Sequence, residues 1–418
     1  MMGPVSTLSR WRDEALNLDF LSGVVSDLLT HTRAGTALYT DAKGMLRTAA
    51  INQPRIDYDP ETGQARGLLL EGASTNLLRN SYFRAGDSWN AVRGTLQANV
   101  GLAPDGTSTL SRFVHDATTN PYCFPGATNS VQYTANVKYT ASGFFKLDPN
   151  GKSRTAHLVG HQAVFGQERS IAVNLKTGAV TAGSAAVERW GFKRYPGNFV
   201  HVWMTNTAAT SGSSYPLIVW CRESFAPGDV ADFWGLDLKA DPYLTSHIPT
   251  LGAAASRAAD VSHIDGARFA SWFNQAQGTF VFDGVNLAYD IGDTTLMVVD
   301  DGSTGQTNQV SIRTSASGIT WRLTTRAHGQ AVFDAGMLTN PVGSRGRFGF
   351  SYGAPAGWEA AVSSGLVLPP TAGTLPVGMS RLRFGSRGTG AINALLIRNI
   401  RYWPRAMDGE TMKKMVQL

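Results

Sequence analysis

The sequence predicts an all-β protein: two tandem antiparallel β-sandwiches behind an extended N-terminal arm, with a short helix at the C-terminus. Three observations carry this expectation. Short runs with period-two alternation recur along the chain, the pattern a half-buried strand requires. The 418 residues include 45 glycines and 18 prolines, which punctuate those runs with turns. Charged residues make up only 16% and aromatic residues 10%, whereas about a quarter of a typical globular domain is charged.

Residues 1–80 read as an arm, rich in turns and poor in contiguous core. Within it, "TALYTDAKGMLRTAA" is a hairpin, with Asp41 to Gly44 as its connection. "DYDPETG" at 57–63 is a second turn, with Pro60 presetting φ. From 81 to 250 the pattern is that of a jelly-roll sandwich. "SVQYTANVKYTAS" alternates Val131, Tyr133, Ala135, Val137 and Tyr139 with polar residues and is expected as one strand. "RSIAVNLKTGAVTAG" is a hairpin turning at Lys176 to Gly178, and "NFVHVWMTNTAA" and "YPLIVWCRESF" are further strands. Residues 251–261 form a linker of small residues. Residues 262–418 form a second sandwich whose last strand lies in "INALLIRNIRYWPRAM". Asp408 is placed to cap the terminal helix, and Lys413-Lys414 suit its C-terminal end.

Composition narrows the function. The net charge of +6 comes from 37 basic and 31 acidic residues, with no Lys/Arg run longer than two. A nucleic-acid groove is therefore not expected. No apolar stretch approaches the roughly 18 residues that span a bilayer, and no signal peptide is visible at the N-terminus. The expectation is synthesis in a cytoplasm without membrane insertion. Cys123 and Cys221 could bridge two strands or remain a free buried pair.

The chemical motifs of common enzymes are missing. Glycoside hydrolysis needs two carboxylates converging on one bond, yet Asp57 and Asp59 lie in a turn and Asp300-Asp301 are adjacent, at a site where Asp serves turns. Calcium at Asp300-Asp301 would need several converging oxygens, and no cofactor is expected. His157 and His161 fall in "RTAHLVGHQAVF", read as a strand, where i and i+4 lie about 13 Å apart, too far to share a metal. There is no Gly-x-Ser-x-Gly elbow and no phosphate loop. The ten tryptophans are more suggestive. Trp203 and Trp220 read as core, whereas Trp89, Trp190, Trp321 and Trp358 stand in turn-like contexts. Exposed rings beside polar donors are how sandwich proteins stack sugars, so these four are the glycan candidates.

"GLLLEGASTNLL" raises a separate question, because Glu71 is a carboxylate inside an apolar run. Such a group needs a cation or backbone N–H donors. Arg55, Arg66 and Arg79 are the nearby cations, and Asn76 is placed to close the following turn through its side chain. Arg55, Asp57, Asp59, Glu71 and Asn76 are therefore expected to form a structural junction between arm and first sandwich.

Several of these residues carry a resemblance. Thr32-Arg33-Ala34, Ala37, Tyr39, Gly44, Pro54-Arg55, Asp57 to Pro60, Gly67 to Leu69, Glu71 and Thr75 to Leu78 match a pattern of virion proteins. The segment resembles the head spike fibre module of phage and gene-transfer-agent particles. Thr245-Ser246, Ile248 to Thr250, Gly252 and Arg257 to Asp260 resemble the end of carbohydrate-binding-module-like sandwiches in such proteins. The match departs at Leu236 to Lys239, where a Gln and a Glu are usual. The C-terminal section is similar to concanavalin/laminin-G-type sandwiches, with Ser363-Ser364-Gly365 in place of an Asn-Gly turn.

The resemblance implies a non-enzymatic virion appendage on the particle surface. Residues 1–80 would dock it to other virion proteins, and the sandwiches would bind host capsular or other surface polysaccharide; a homo-oligomer is one assembly the resemblance allows. The alternatives are a capsid decoration protein without glycan binding, a tail fibre or receptor-binding protein, and a depolymerase spike.

Overall fold

The computed structural model describes residues 13–116, 121–126, 131–215, 218–222, 225–289, 294–303, 307–315, 317–354, 357–385 and 394–417. The chain is all-β with several sandwich-like sheets and a short C-terminal helix, Gly409–Gln417. Asp408 caps that helix, its carboxylate accepting from the Thr411 N–H at 2.8 Å.

One pair of sheets is built from the middle of the chain. A six-stranded sheet runs Arg189–Tyr195, Phe199–Thr207, Lys138–Lys146, Val230–Lys239, Ser111–His115, Gly94–Gln97. A second runs Val180–Ala182, Arg169–Asn174, Thr155–Gly160, Ile218–Arg222, Tyr122–Pro125, Trp89–Val92. Their apolar faces share one core, with Phe113, Phe145, Val200 and Phe233 from the first and Leu158, Ile171, Val173 and Val219 from the second. Cys123 and Cys221 are free and buried on adjacent strands of the second sheet, and burial pushes both thiols up.

The other pair contains an eight-stranded sheet. Its path is Val367–Thr371, Gly357–Val362, Arg345–Ala354, Gly278–Asn286, Leu395–Trp403, Ala65–Leu70, Arg55–Tyr58, with Leu16–Asp19 also on Leu395–Trp403. The facing seven-stranded sheet runs Thr30–Thr32, Val261–Asp265, Arg381–Phe384, Thr295–Asp300, Gln309–Thr314, Thr320–Ala327, Gln330–Thr339.

The N-terminal segment is thus not an extended arm. Four of its strands complete both sheets of the C-terminal sandwich, and Leu16, Leu18, Phe20, Leu68 and Leu70 are buried in that core. Burying five large apolar side chains is worth on the order of 10 kcal/mol, an upper figure. Gly67 makes the seam possible. Its φ of +125° is one L-residues rarely adopt, and a Cβ there would strike the Ile397 carbonyl.

The first sandwich is therefore an insertion in the second. The way in, Ser74–Asn76, pairs antiparallel with the way out, Ala255–Arg257. Asn80 bridges Leu251 just beyond. The expected linker at 251–261 is half of this two-strand neck. The hairpin Ala37–Thr40/Leu46–Ala49 matches the sequence expectation. Asp41 Oδ1 accepts from the N–H groups of Lys43 and Met45, and Gly44 at φ +75° lies where a Cβ would meet the Pro60 carbonyl at 2.5 Å. Leu38 and Leu46 lay this hairpin on the outer face of the first sandwich, against Phe144, Phe199 and Trp234.

Two strand expectations change. "SVQYTANVKYTAS" is broken at Asn136, φ +64°, into Val131–Tyr133 and Lys138–Lys146. Asn accepts that conformation more readily than other non-glycine residues, which is why the alternation could be interrupted there. "RTAHLVGHQAVF" is the strand Thr155–Gly160 followed by a one-turn helix, Gln162–Phe165, capped by His161. His157 and His161 consequently belong to different elements.

Candidate functional sites: a buried ionic junction and an exposed aromatic ledge

At the base of the neck, the strand ending at Leu70 and the segment before Val261 bring Glu71 beside Asp260. Their main chains bond directly, Asp260 N–H to the Glu71 carbonyl at 2.9 Å. Glu71 Oε2 lies 2.9 Å from Arg55 Nη1 and 2.9 Å from Arg257 Nη1. Ser246 completes the carboxylate's shell, its N–H donating to Oε1 at 2.7 Å and its hydroxyl to Oε2 at 2.6 Å. Asp260 receives Arg33 at 2.9 Å, Arg55 at 2.5 Å and the Glu71 N–H at 2.8 Å.

All five charged groups are buried, so the pairing is what makes their burial tolerable. Burial alone would raise the Glu71 carboxyl, yet the Arg257 and Arg55 guanidiniums and the Ser246 hydroxyl bring it down to about 2. Asp260 is held low as well, with the His31, Arg55 and Arg33 side chains outweighing its burial.

Asn76 sits one step along, buried, with its whole hydrogen-bonding capacity used. It donates to Ser81 Oγ, the Leu236 carbonyl and the Ile248 carbonyl, and accepts from the N–H groups of Leu78 and Leu238. Asp57 takes Arg66 at 2.8 Å and the Thr40 N–H at 3.1 Å. Asp59 closes its turn by accepting from the N–H groups of Glu61 and Thr62. Of the three cations expected near Glu71, Arg55 is present. Arg66 goes to Asp57, and Arg79 donates to the Gly252 carbonyl at 3.0 Å.

The residues sequence reasoning missed are Arg33, Arg257, Asp260 and Ser246. All four stand in the stretches that carry the resemblance, but nothing local says that the two stretches meet. Where the resemblance departs, Asp237 pairs internally with Lys239 at 3.0 Å and His247 at 3.0 Å. A cavity of about 80 Å³ beside the junction is lined by Glu71, Asp57, Arg66, Lys193, His201 and Ser246, among others. The carboxylates here are saturated by guanidinium and backbone donors, so none is a free base. Among the described residues no group of three or more His, Cys, Asp or Glu could hold a metal ion. Asp300 is buried against Arg381 at 3.0 Å and Arg383 at 2.6 Å, and Asp301 closes the following turn.

The four tryptophan candidates separate. Trp321 and Trp358 are both 0% exposed. They pack in the core of the second sandwich, where alternation on buried strands places them, and offer no face to a sugar. Trp89 is half-buried against Phe83 and Phe233. Trp190 is 38% exposed, and Phe192, two residues on, is 43% exposed. Trp203 and Trp220, expected in the core, are half-buried.

Trp190 and Phe192 share one side of the edge strand Arg189–Tyr195. They stand opposite Met204 and Val202, which belong to the core, so the two rings extend the apolar interior to the open rim. Arg194, next on that side, donates to the Gly178 carbonyl at 2.9 Å, and its guanidinium lies 5.8 Å from the Phe192 ring centroid. The result is an aromatic ledge with a cation at one end. Alternation in "RWGFKRY" would have found Phe192 once Trp190 was singled out.

A cavity of about 280 Å³ lies at the sheet end nearest Arg194, lined by Arg112, Lys146, Leu147, Asp148, Arg154, Leu175, Val230 and Asp232. Arg112 pairs with Asp232 at 2.7 Å and Arg154 with Asp148 at 2.6 Å, while Lys146 Nζ lies over the Phe199 ring, 4.8 Å from its centroid.

No family model and no curated protein matches this chain. Among solved structures, a Ruminococcus gnavus sialidase module, CBM40 bound to α2,3-sialyllactose, aligns at 11% identity. It covers 34% of this chain and 84% of that one, with a TM-score of 0.29. Trypanosoma rangeli sialidase aligns at 10% identity over 98% of this chain and 97% of its own, with a TM-score of 0.30. A leech intramolecular trans-sialidase aligns at 13% identity over 37% of this chain and 27% of its own, with a TM-score of 0.30. Likenesses this distant assign neither a family nor an activity.

Proposed function

We propose that this chain is a non-enzymatic, glycan-binding appendage of a phage or gene-transfer-agent particle. In this reading it is a head spike or fibre that promotes adsorption to host surface polysaccharide, with a jelly-roll-like first sandwich and a concanavalin/laminin-G-like second one. The observation that carries it is the Trp190–Phe192 ledge. Two part-exposed rings on one side of an edge strand, flanked by Arg194, suit the apolar C–H face of a sugar with a donor for its hydroxyls. The virion setting rests on the resemblance in residues 32–78 and 245–260. That both stretches meet in one ionic junction supports reading them as parts of a single module.

The test is retention of host capsular polysaccharide and of an arrayed glycan panel by the full chain and by the Trp190→Ala/Phe192→Ala variant. Loss of stacking should weaken retention about tenfold, since each aromatic contact is worth about 0.5–1.5 kcal/mol. Equal retention by both proteins, or none by either, overturns the reading. Fragile particles that still adsorb normally when the chain is absent would identify a decoration protein instead.

A further inference from the structure

The outer face of the eight-stranded sheet carries a second cationic feature that the ledge does not explain. Arg345 and Arg347 come from Arg345–Ala354, Arg398 from Leu395–Trp403 and Arg66 from Ala65–Leu70. Three of these converge on Asp283 of Gly278–Asn286. Arg345 Nη2 is 2.5 Å from Oδ2, Arg347 Nε 3.1 Å from the same oxygen, and Arg398 Nε 3.6 Å from Oδ1. The fourth, Arg66, pairs with Asp57.

The stoichiometry is lopsided. One carboxylate offers about four lone-pair positions, while three guanidiniums present about fifteen N–H donors. Arg398 Nε is buried without a hydrogen-bond partner. Burial pushes Arg398 down, and the Arg345, Arg347 and Arg66 guanidiniums add to this against the opposing Asp283 carboxylate. The patch is recessed. On one side the C-terminal helix rises from the same face, with Val281 packed on Met412 and Val416. On the other, Leu69, Val285 and Leu396 form an apolar shoulder with Leu287, which also lines the junction cavity.

We propose that this arginine saddle binds the carboxylate groups of an acidic polysaccharide. Guanidiniums clamp carboxylates through paired, planar hydrogen bonds, and the Arg345 side chain, at the open side of the group, is accessible to a polymer chain. A nucleic acid fits less well, because the sequence has no Lys/Arg run longer than two to follow a phosphate backbone. The inference rests on the reading of the chain as a glycan binder and names the class of glycan, at a site separate from the ledge.

The experiment uses the full chain with two polyuronates, alginate and polyglucuronate, as probes at low and moderate salt. Binding should weaken as salt rises and fall at least tenfold in Arg345→Gln/Arg398→Gln. Retention of the ledge's glycan by that variant should be unchanged, and Trp190→Ala/Phe192→Ala should keep its polyuronate binding. Arg345→Gln alone changes a side chain that is 42% exposed and serves as the variant whose folding is safe; it should weaken binding in the same direction. No polyuronate binding by the wild type, or equal binding by the arginine variants, overturns the proposal. So does displacement of both polyuronates by a single-stranded DNA oligonucleotide at lower concentration. Retention of the ledge's glycan that is unchanged in Trp190→Ala/Phe192→Ala, with wild-type polyuronate binding weakened only by the arginine variants, would sink the ledge reading and leave the saddle standing.

Discussion

Both oxygens of Glu71 are engaged, by Arg55, Arg257 and the N–H and hydroxyl of Ser246. A carboxylate in this state holds strands together and is poorly placed to accept a substrate proton. Glu71→Gln would remove the anion while leaving two guanidiniums buried around it, and breaking a buried pair costs about 3–5 kcal/mol. The expected outcome is a large loss of unfolding free energy in urea, with glycan retention by the surviving folded fraction unchanged. Acid should act on the same residue. Its carboxyl lies at about 2 when folded against 4.5 when free, so its contribution is complete above 4.5 and is lost as pH falls toward 2.

At the level of elements, the hairpin Ala37–Thr40/Leu46–Ala49 covers a strand face that contains a histidine. His201 is stacked on Phe144 at 4.1 Å, and burial, with Lys193 nearby, lowers its pKa from 6.5 to about 3. The unfolded chain therefore takes up a proton at higher pH than the folded one. This residue's contribution is complete above 6.5 and declines as pH falls toward 3. Thermal unfolding followed from pH 7 to pH 4 should show Tm falling in the wild type and falling less in His201→Phe, whose ring keeps the stack.

The elements also show what the sequence made legible. The hairpins at 37–49 and 169–182 follow their turn chemistry, because Asp41 and Asn174 bond backbone groups within a few residues. The break at Asn136 was hidden because alternation continues on both sides of it. The junction was hidden for a different reason. Glu71 and Asp260 are 189 residues apart, and sequence patterns report local periodicity, not which distant strands become neighbours. Trp321 and Trp358 were misplaced as surface residues because small neighbours mark tight packing as readily as turns. Trp190 was found because an edge strand leaves its side chain uncovered.

For the whole molecule, the arrangement of one sandwich inserted in another sets which pieces can fold. Residues 81–250 keep both six-stranded sheets and their core, and should give a cooperatively unfolding protein. Residues 262–418 lack Leu16–Asp19, Thr30–Thr32, Arg55–Tyr58 and Ala65–Leu70, leaving the flank of Leu395–Trp403 unpaired and the core open. That fragment should aggregate on expression, and adding back residues 13–78 should rescue it. A soluble, cooperatively folding 262–418 fragment would contradict the topology.

The neck has a mechanical consequence. Ser74–Asn76 and Ala255–Arg257 both run from one sandwich to the other, so a pull on the first sandwich is divided between two covalent backbones. The hydrogen bonds between the two legs are neither sheared nor peeled by such a pull, because both legs stretch together. Glu71, Arg257 and Asp260 stand where the legs enter the second sandwich, tied to one another and to Arg55. A force applied to the inserted sandwich would reach the second sandwich through this clamp, and a tether of two anchored legs resists extension better than a single linker of the same length.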